Sequence, residues 1–199
     1  MHSTQIRRLP PAVVLVFLLA AGCGFRSSGP PEVGHDRGGI PDLRGARVLL
    51  LPPQVVVGGH ADLERELVFA LAERGGDVQW ITPERMRDRL DRTPELDIAI
   101  DRLAVQPFLA GQLERYGDPL FGELYRLGVV ESADLALLPF QVRERVTDDG
   151  ARLEVSASLL RLRTGRVIWT GVLAGDTGPP GSLAATASAV ESLARRVVP

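Results

Sequence analysis

The sequence predicts an α/β fold: a single-layer mixed β-sheet packed by helices, with a three-stranded antiparallel meander in the carboxyl-terminal half. Three observations predict it. "RVLLLPP", Arg47 to Pro53, is a short continuous apolar run ended by two prolines, and a helical stripe follows it, opening a β-α-β-α unit. Two long apolar-rich runs flank the turn signal "TDDG", and a third follows the tight turn at Thr164 and Gly165. A last amphipathic stretch starts at Ser182, a residue type that caps helices.

Ahead of these elements, Arg7 and Arg8 precede the apolar run Ala12 to Ala21, which exits through Ala20, Ala21 and Gly22. Such a run, if helical, rises about 15 Å, half of a bilayer's hydrocarbon core, so it reads as a secretory signal peptide rather than a permanent span. Cys23, the sole cysteine, follows directly, and "LAAGC" resembles the lipobox of bacterial lipoproteins. That resemblance implies a diacylglyceryl group on the Cys23 thiol, cleavage just before it, and acylation of the new amino terminus. One acyl chain holds a membrane only marginally, whereas two or three hold it firmly. Gly24 stands where many inner-membrane lipoproteins carry Asp, which implies an outer-membrane anchor facing the periplasm. No other cysteine remains to form a disulfide, so the mature domain relies on its core.

The chain therefore divides into a lipoprotein signal peptide (1–22), a lipidated cysteine with a flexible tether (23–45) and a globular α/β domain (46–199). Gly, Pro, Ser and charge dominate from Gly24 to Arg44, which leaves too little apolar area to order the segment. A coil of about 20 residues spans roughly 25 Å on average.

Within the domain, Leu63, Leu67, Ala70 and Leu71 fall at helical spacing before the stop at Gly75 and Gly76. A short strand starts at Val78. Thr82 then caps a helix with Pro83 at its first position and Met86 and Leu90 inward. Between Thr93 and Glu131 the spacing of Leu96, Ile98, Ile100 and Leu103 fits a strand and a helix equally well. "YGDPLFGELYRLG" predicts a helix capped by Asp118, with Pro119 first, Leu120, Leu124 and Leu127 inward, and Gly128 as its stop. In the meander, Leu153, Val155, Ala157 and Leu159 share one face, but then Leu160 and Leu162 are apolar while Arg161 and Arg163 are not; the parity flips, which predicts a bulge near Leu159 and Leu160. The last helix is expected to bury Leu183, Ala187, Val190, Ala194 and Val197.

The strand ending in "LLPP", the segment "ESADLALLPFQV" and the run "LLRLRTGRVIWTGVLAG" resemble small envelope lipoprotein modules related to the amino-terminal domain of TolB, to CsgG and to LpoB. The resemblance covers most of residues 46 to 198. It implies a non-enzymatic module that contacts other envelope components. Arg143, Glu144 and Arg145 put charge on both faces of a strand, which lipid does not tolerate, so no channel-forming hairpin is expected.

Composition narrows the function classes. The chain is 45% hydrophobic and 24% charged with a net charge of −2, so no global basic field attracts nucleic acid. Tyr116, Phe121 and Tyr125 are candidates for an exposed aromatic contact surface, or for core packing. Arg161, Arg163 and Arg166 in "RLRTGR" form a candidate surface for an acidic partner, or a solvated turn. Gly58, Gly59 and His60 precede a helix and form a candidate anion loop, although the Lys and Ser/Thr of a nucleotide loop are missing. Asp97 with Asp101 has no nearby His, Asp148 with Asp149 suits a hairpin turn, and Ser182 reads as a cap, so no catalytic residue, metal site or cofactor is predicted. Two functions remain: an envelope module acting through another envelope protein or self-association, and a periplasmic small-molecule or anion binder.

Overall fold

The computed structural model describes residues 33–58, 62–111 and 113–199. Seven strands form one open mixed sheet: β1 (Asp36–Gly38), β2 (Arg47–Leu50), β3 (Val55–Val57), β4 (Gln79–Ile81), β5 (Leu135–Thr147), β6 (Gly150–Arg161) and β7 (Arg166–Ala174). Their order is β1-β7-β6-β5-β2-β4, and β3 adds to β5 beyond the end of β2. The pairs β2/β4, β2/β5 and β3/β5 are parallel, while β5, β6, β7 and β1 run antiparallel in turn. The predicted meander is thus present, closed by the two-residue turn Asp148–Asp149, with Gly150 at a φ of +130° that only glycine adopts without strain.

Helices cover both faces. On one side lie α1 (Leu63–Arg74) and α5 (Leu183–Val197), whose Leu67, Leu71, Val190 and Leu193 pack on Val48, Leu137, Val155, Leu159 and Trp169. On the other lie α2 (Pro83–Asp91), α3 (Gln106–Leu109) and α4 (Leu120–Glu131), with Met86, Phe108, Leu124 and Leu127 against Leu49, Leu138, Phe140 and Leu160. Each end cap uses local chemistry. Thr82 Oγ1 accepts from Arg85 N at 3.4 Å, and Ser182 Oγ accepts from Ala185 N at 3.2 Å. Such a cap contributes about 1 kcal/mol by satisfying one orphan amide.

Two register shifts bend the long strands. One falls between Leu159 and Leu160, where the switch in apolar parity predicts it; the extra residue is Ile168 on β7, while β6 alternates through with Leu159 in one core and Leu160 and Leu162 in the other. The second, between Pro139 and Gln141, leaves Phe140 unpaired and fully buried against Phe108. Proline donates no hydrogen bond to the ladder, so a bulge beside Pro139 lets β5 stay central in the sheet.

Elsewhere the structure differs from the sequence reading. Residues 36–38, placed by composition in the tether, form β1 on the edge of β7, where Val172 N donates to His35 O at 2.9 Å. Asp36 fixes this strand: its carboxylate accepts from Trp169 Nε1 and from Arg196 Nε, the latter at 2.7 Å, and Arg196 holds its pKa below the ordinary value against the opposing effect of burial. Val55–Val57, which lead into the candidate anion loop, form β3. The undecided segment after Thr93 is neither strand nor α-helix but two 3-10 turns, Pro94–Leu96 and Ile100–Arg102, with Ile98, Ile100 and Leu103 buried beside α2. Gly128 does not stop α4, which runs on to Glu131. A Cβ there would stand 2.7 Å from Leu162 Cδ1, so this glycine lets the helix press onto β6's end. In α5, Leu183 and Ala187 are exposed and Ala185, Thr186 and Ala189 are buried in their place, because the helix turns its small residues toward Gly175 just past β7, where a Cβ would stand 2.6 Å from Ala189 N.

Candidate interaction surfaces

Cys23 lies outside the described residues, as do Gly59 and His60 of the anion loop. Gly58 sits in a bend at a φ of +107° after β3. Asp62 follows at the start of α1, where its side chain caps no amide and instead pairs with Arg65 at 2.9 Å.

The aromatic candidates divide by depth. Tyr116 is core, 5% exposed, and burial pushes its phenol pKa up, so the expectation that it faces a partner is corrected. Its ring continues a stack from Phe108 through Phe121 to Tyr125, with centroids about 6 Å apart. Phe121 is half-buried on the same core, and Tyr125 is 44% exposed. One turn on, Val129 is 62% exposed and Val130 37%. Phe121, Tyr125 and Val129 recur every four residues, so α4 turns an apolar ridge outward while Leu120, Leu124 and Leu127 face in. The spacing of the inward leucines shows this ridge in the sequence; the helix's extension past Gly128 is what adds the valines to it. A cleft of about 280 Å³ runs beside the ridge, lined by Tyr125, Val129, Ser132, Leu162 and Arg163.

The meander carries two arginine groups at opposite ends. Toward the β5–β6 turn, Glu154 is fully buried and receives three guanidiniums: Arg143 Nε at 2.7 Å, Arg145 Nε at 3.0 Å and Arg152 Nη2 at 3.3 Å. Arg143 is its cross-strand partner and Arg152 is two residues away on the same face, which is how β-pairing assembles the group. Sequence reading did not single out Glu154. Its signal is a lone acid in "ARLEV" opposite "RER" across a hairpin.

At the other end, Arg161 pairs in register with Arg166, and Arg166 with Arg115 by an isolated bridge. Arg163 turns away to Asp134 at 3.1 Å and is 79% exposed. The three residues of "RLRTGR" thus do not act as one patch: Arg161 and Arg166 stand together, and Arg115, distant in sequence, joins them. Among the described residues no group of His, Cys, Asp and Glu is arranged to hold a metal ion, and no helix is long and apolar enough to cross a membrane.

No family model matches this chain, and no curated protein matches it. Solved structures of similar chain path exist. A PelC dodecamer from Paraburkholderia phytofirmans is 13% identical, with a TM-score of 0.44 over 82% of this chain and 96% of that one. The LpoB carboxyl-terminal domain from Salmonella enterica is 15% identical, with a TM-score of 0.42 over 66% of this chain and 82% of that one. A lipoprotein from Neisseria meningitidis is 13% identical, with a TM-score of 0.41 over 69% of this chain and 84% of that one.

Proposed function

We propose that the protein is a lipid-anchored lipoprotein of the bacterial envelope, held in the outer membrane by acyl chains on Cys23, that works in the periplasm as a non-enzymatic interaction module. One observation carries the reading: the only cysteine of the chain directly follows a signal-length apolar run and a small-residue exit. The outward ridge of Phe121, Tyr125 and Val129 on α4 supports the second half of it, since contiguous exposed apolar surface on a domain marks a contact site. The partner is another envelope protein or a second copy of the chain.

The test is fractionation with cross-linking in cells. Cys23→Ala is expected to move the protein from the membrane to the soluble fraction with its folded core unchanged, and persistence in the membrane fraction overturns the anchor. Tyr125→Asp in the anchored protein is expected to abolish its cross-linked species; an unaltered pattern removes α4 as the contact.

A further inference from the structure

Most described arginines stand within ion-pair distance of a carboxylate. Arg47, Arg102, Arg115, Arg126, Arg161 and Arg166 do not, and four of the six converge at one end of the sheet. Arg115, Arg166 and Arg161 are register partners on three neighbouring backbone segments, and the next partners in that row are Leu135 and Val48. Directly opposed residues share a face with Cβ atoms about 5 Å apart, and like charges in that position repel. All three are exposed.

The row ends at a cleft of about 430 Å³ lined by Gly45, Arg47, Ser132, Asp134, Leu135 and Arg161. There Arg47 Nε is buried without a hydrogen-bond acceptor, although burying an unpaired donor is costly. Asp134 is engaged by Arg163, and Asp42, at the rim of the same cleft, by Arg44 at 2.5 Å, so neither neutralises Arg47 or Arg161. Repulsion along the row and an orphaned donor beside its end are two separate costs, and an anion laid along the row relieves the first.

We infer that the row Arg115–Arg166–Arg161 and the Arg47 cleft form a binding site for an extended polyanion whose successive units each carry a carboxylate or phosphate group. A single phosphate spans two guanidiniums at most, whereas the row steps across neighbouring strands at strand spacing, and planar guanidinium forks match both oxyanions. The charges lie across the strands rather than along a free edge, so the ligand is read by side chains and not by strand addition. With a net charge of −2 the whole chain supplies no general attraction, and binding resides in this row. The inference deepens the envelope reading by naming a ligand chemistry, but it needs neither the anchor nor α4.

The experiment is fluorescence anisotropy with the purified full-length chain and end-labelled oligogalacturonate and polyphosphate, with inorganic phosphate as competitor. Saturable binding of either polymer is expected, and the one preferred tells a carboxylate source from a phosphate source. Arg161→Glu is expected to weaken binding by about tenfold or more, the loss of at least one charge-assisted contact, while Arg102→Glu leaves it within about twofold. A structural role alone would not predict the second readout: Arg166→Glu abolishes binding and raises Tm, because it converts two repulsions into ion pairs. Absence of saturable polymer binding, or equal losses in Arg161→Glu and Arg102→Glu, overturns the inference. A chain that binds the polymer yet fails to fractionate with membranes sinks only the anchor.

Discussion

The two ends of the meander hold the same residue type in opposite states. Around Glu154, three arginines converge on one buried carboxylate, and their charges are answered from within the fold. Around Arg161, three arginines line up on neighbouring backbone segments with no carboxylate among them. The first arrangement fixes the hairpin, since every partner sits where β-pairing puts it. The second works against the fold, so its retention points outward, to something the protein meets. Counting arginines does not separate these cases; asking where each charge is answered does.

The largest effect that breaks the comparison is expected from Glu154→Ala. It leaves Arg143, Arg145 and Arg152 facing one another, turning the closed end into a copy of the open one. The expected cost is about 3 kcal/mol, at the low end for removing one partner of a buried ion pair because the guanidiniums still reach water. Urea unfolding measures it, and a loss below about 1 kcal/mol would mean that Glu154 is not what organises the hairpin. Asp134→Asn sharpens the contrast by freeing Arg163 beside the open row. Stability is expected to change by less than about 0.5 kcal/mol, since that pair is exposed, while polyanion affinity rises. Affinity that stays level in the anisotropy assay would place Arg163 outside the site. The smallest effect is in salt: raising ionic strength is expected to lift the stability of the unmodified chain relative to Arg166→Glu by a few tenths of a kcal/mol, because it screens repulsion in one and attraction in the other. Parallel Tm curves in rising sodium chloride would show that the row is not strained.

Much of the fold is legible in the residues. The change of parity after Leu159 predicts a bulge that the structure places there, because one buried face cannot accept a one-residue slip. Thr82 and Ser182 announce their helices through the amides they satisfy. What escapes is what local pattern cannot carry. β1 and β3 have three residues each, too few for periodicity, and exist because β7 and β5 offer them an edge. Gly128 reads as a stop by type, yet its missing side chain is spent on contact with Leu162, a fact of tertiary packing. The candidate sites follow the same rule. Arg161 and Arg166 stand out within one short motif, whereas Arg115 joins them only through a strand bridge, and Tyr116 sinks into the core that α3 and α4 build around it.

β1 also decides how the domain takes a mechanical load. A pull arriving through the residues before Val33 meets the β1–β7 ladder and the Asp36 ties to Trp169 and Arg196 before it meets the buried Leu43. The clasp is short and the core behind it is large, so the clasp yields first. Its release leaves the segment from Val33 to Leu43, at most about 35 Å long when fully extended, to straighten before the core feels any tension. The strand at the edge of the sheet thereby works as a mechanical fuse between whatever holds the amino terminus and the rest of the domain.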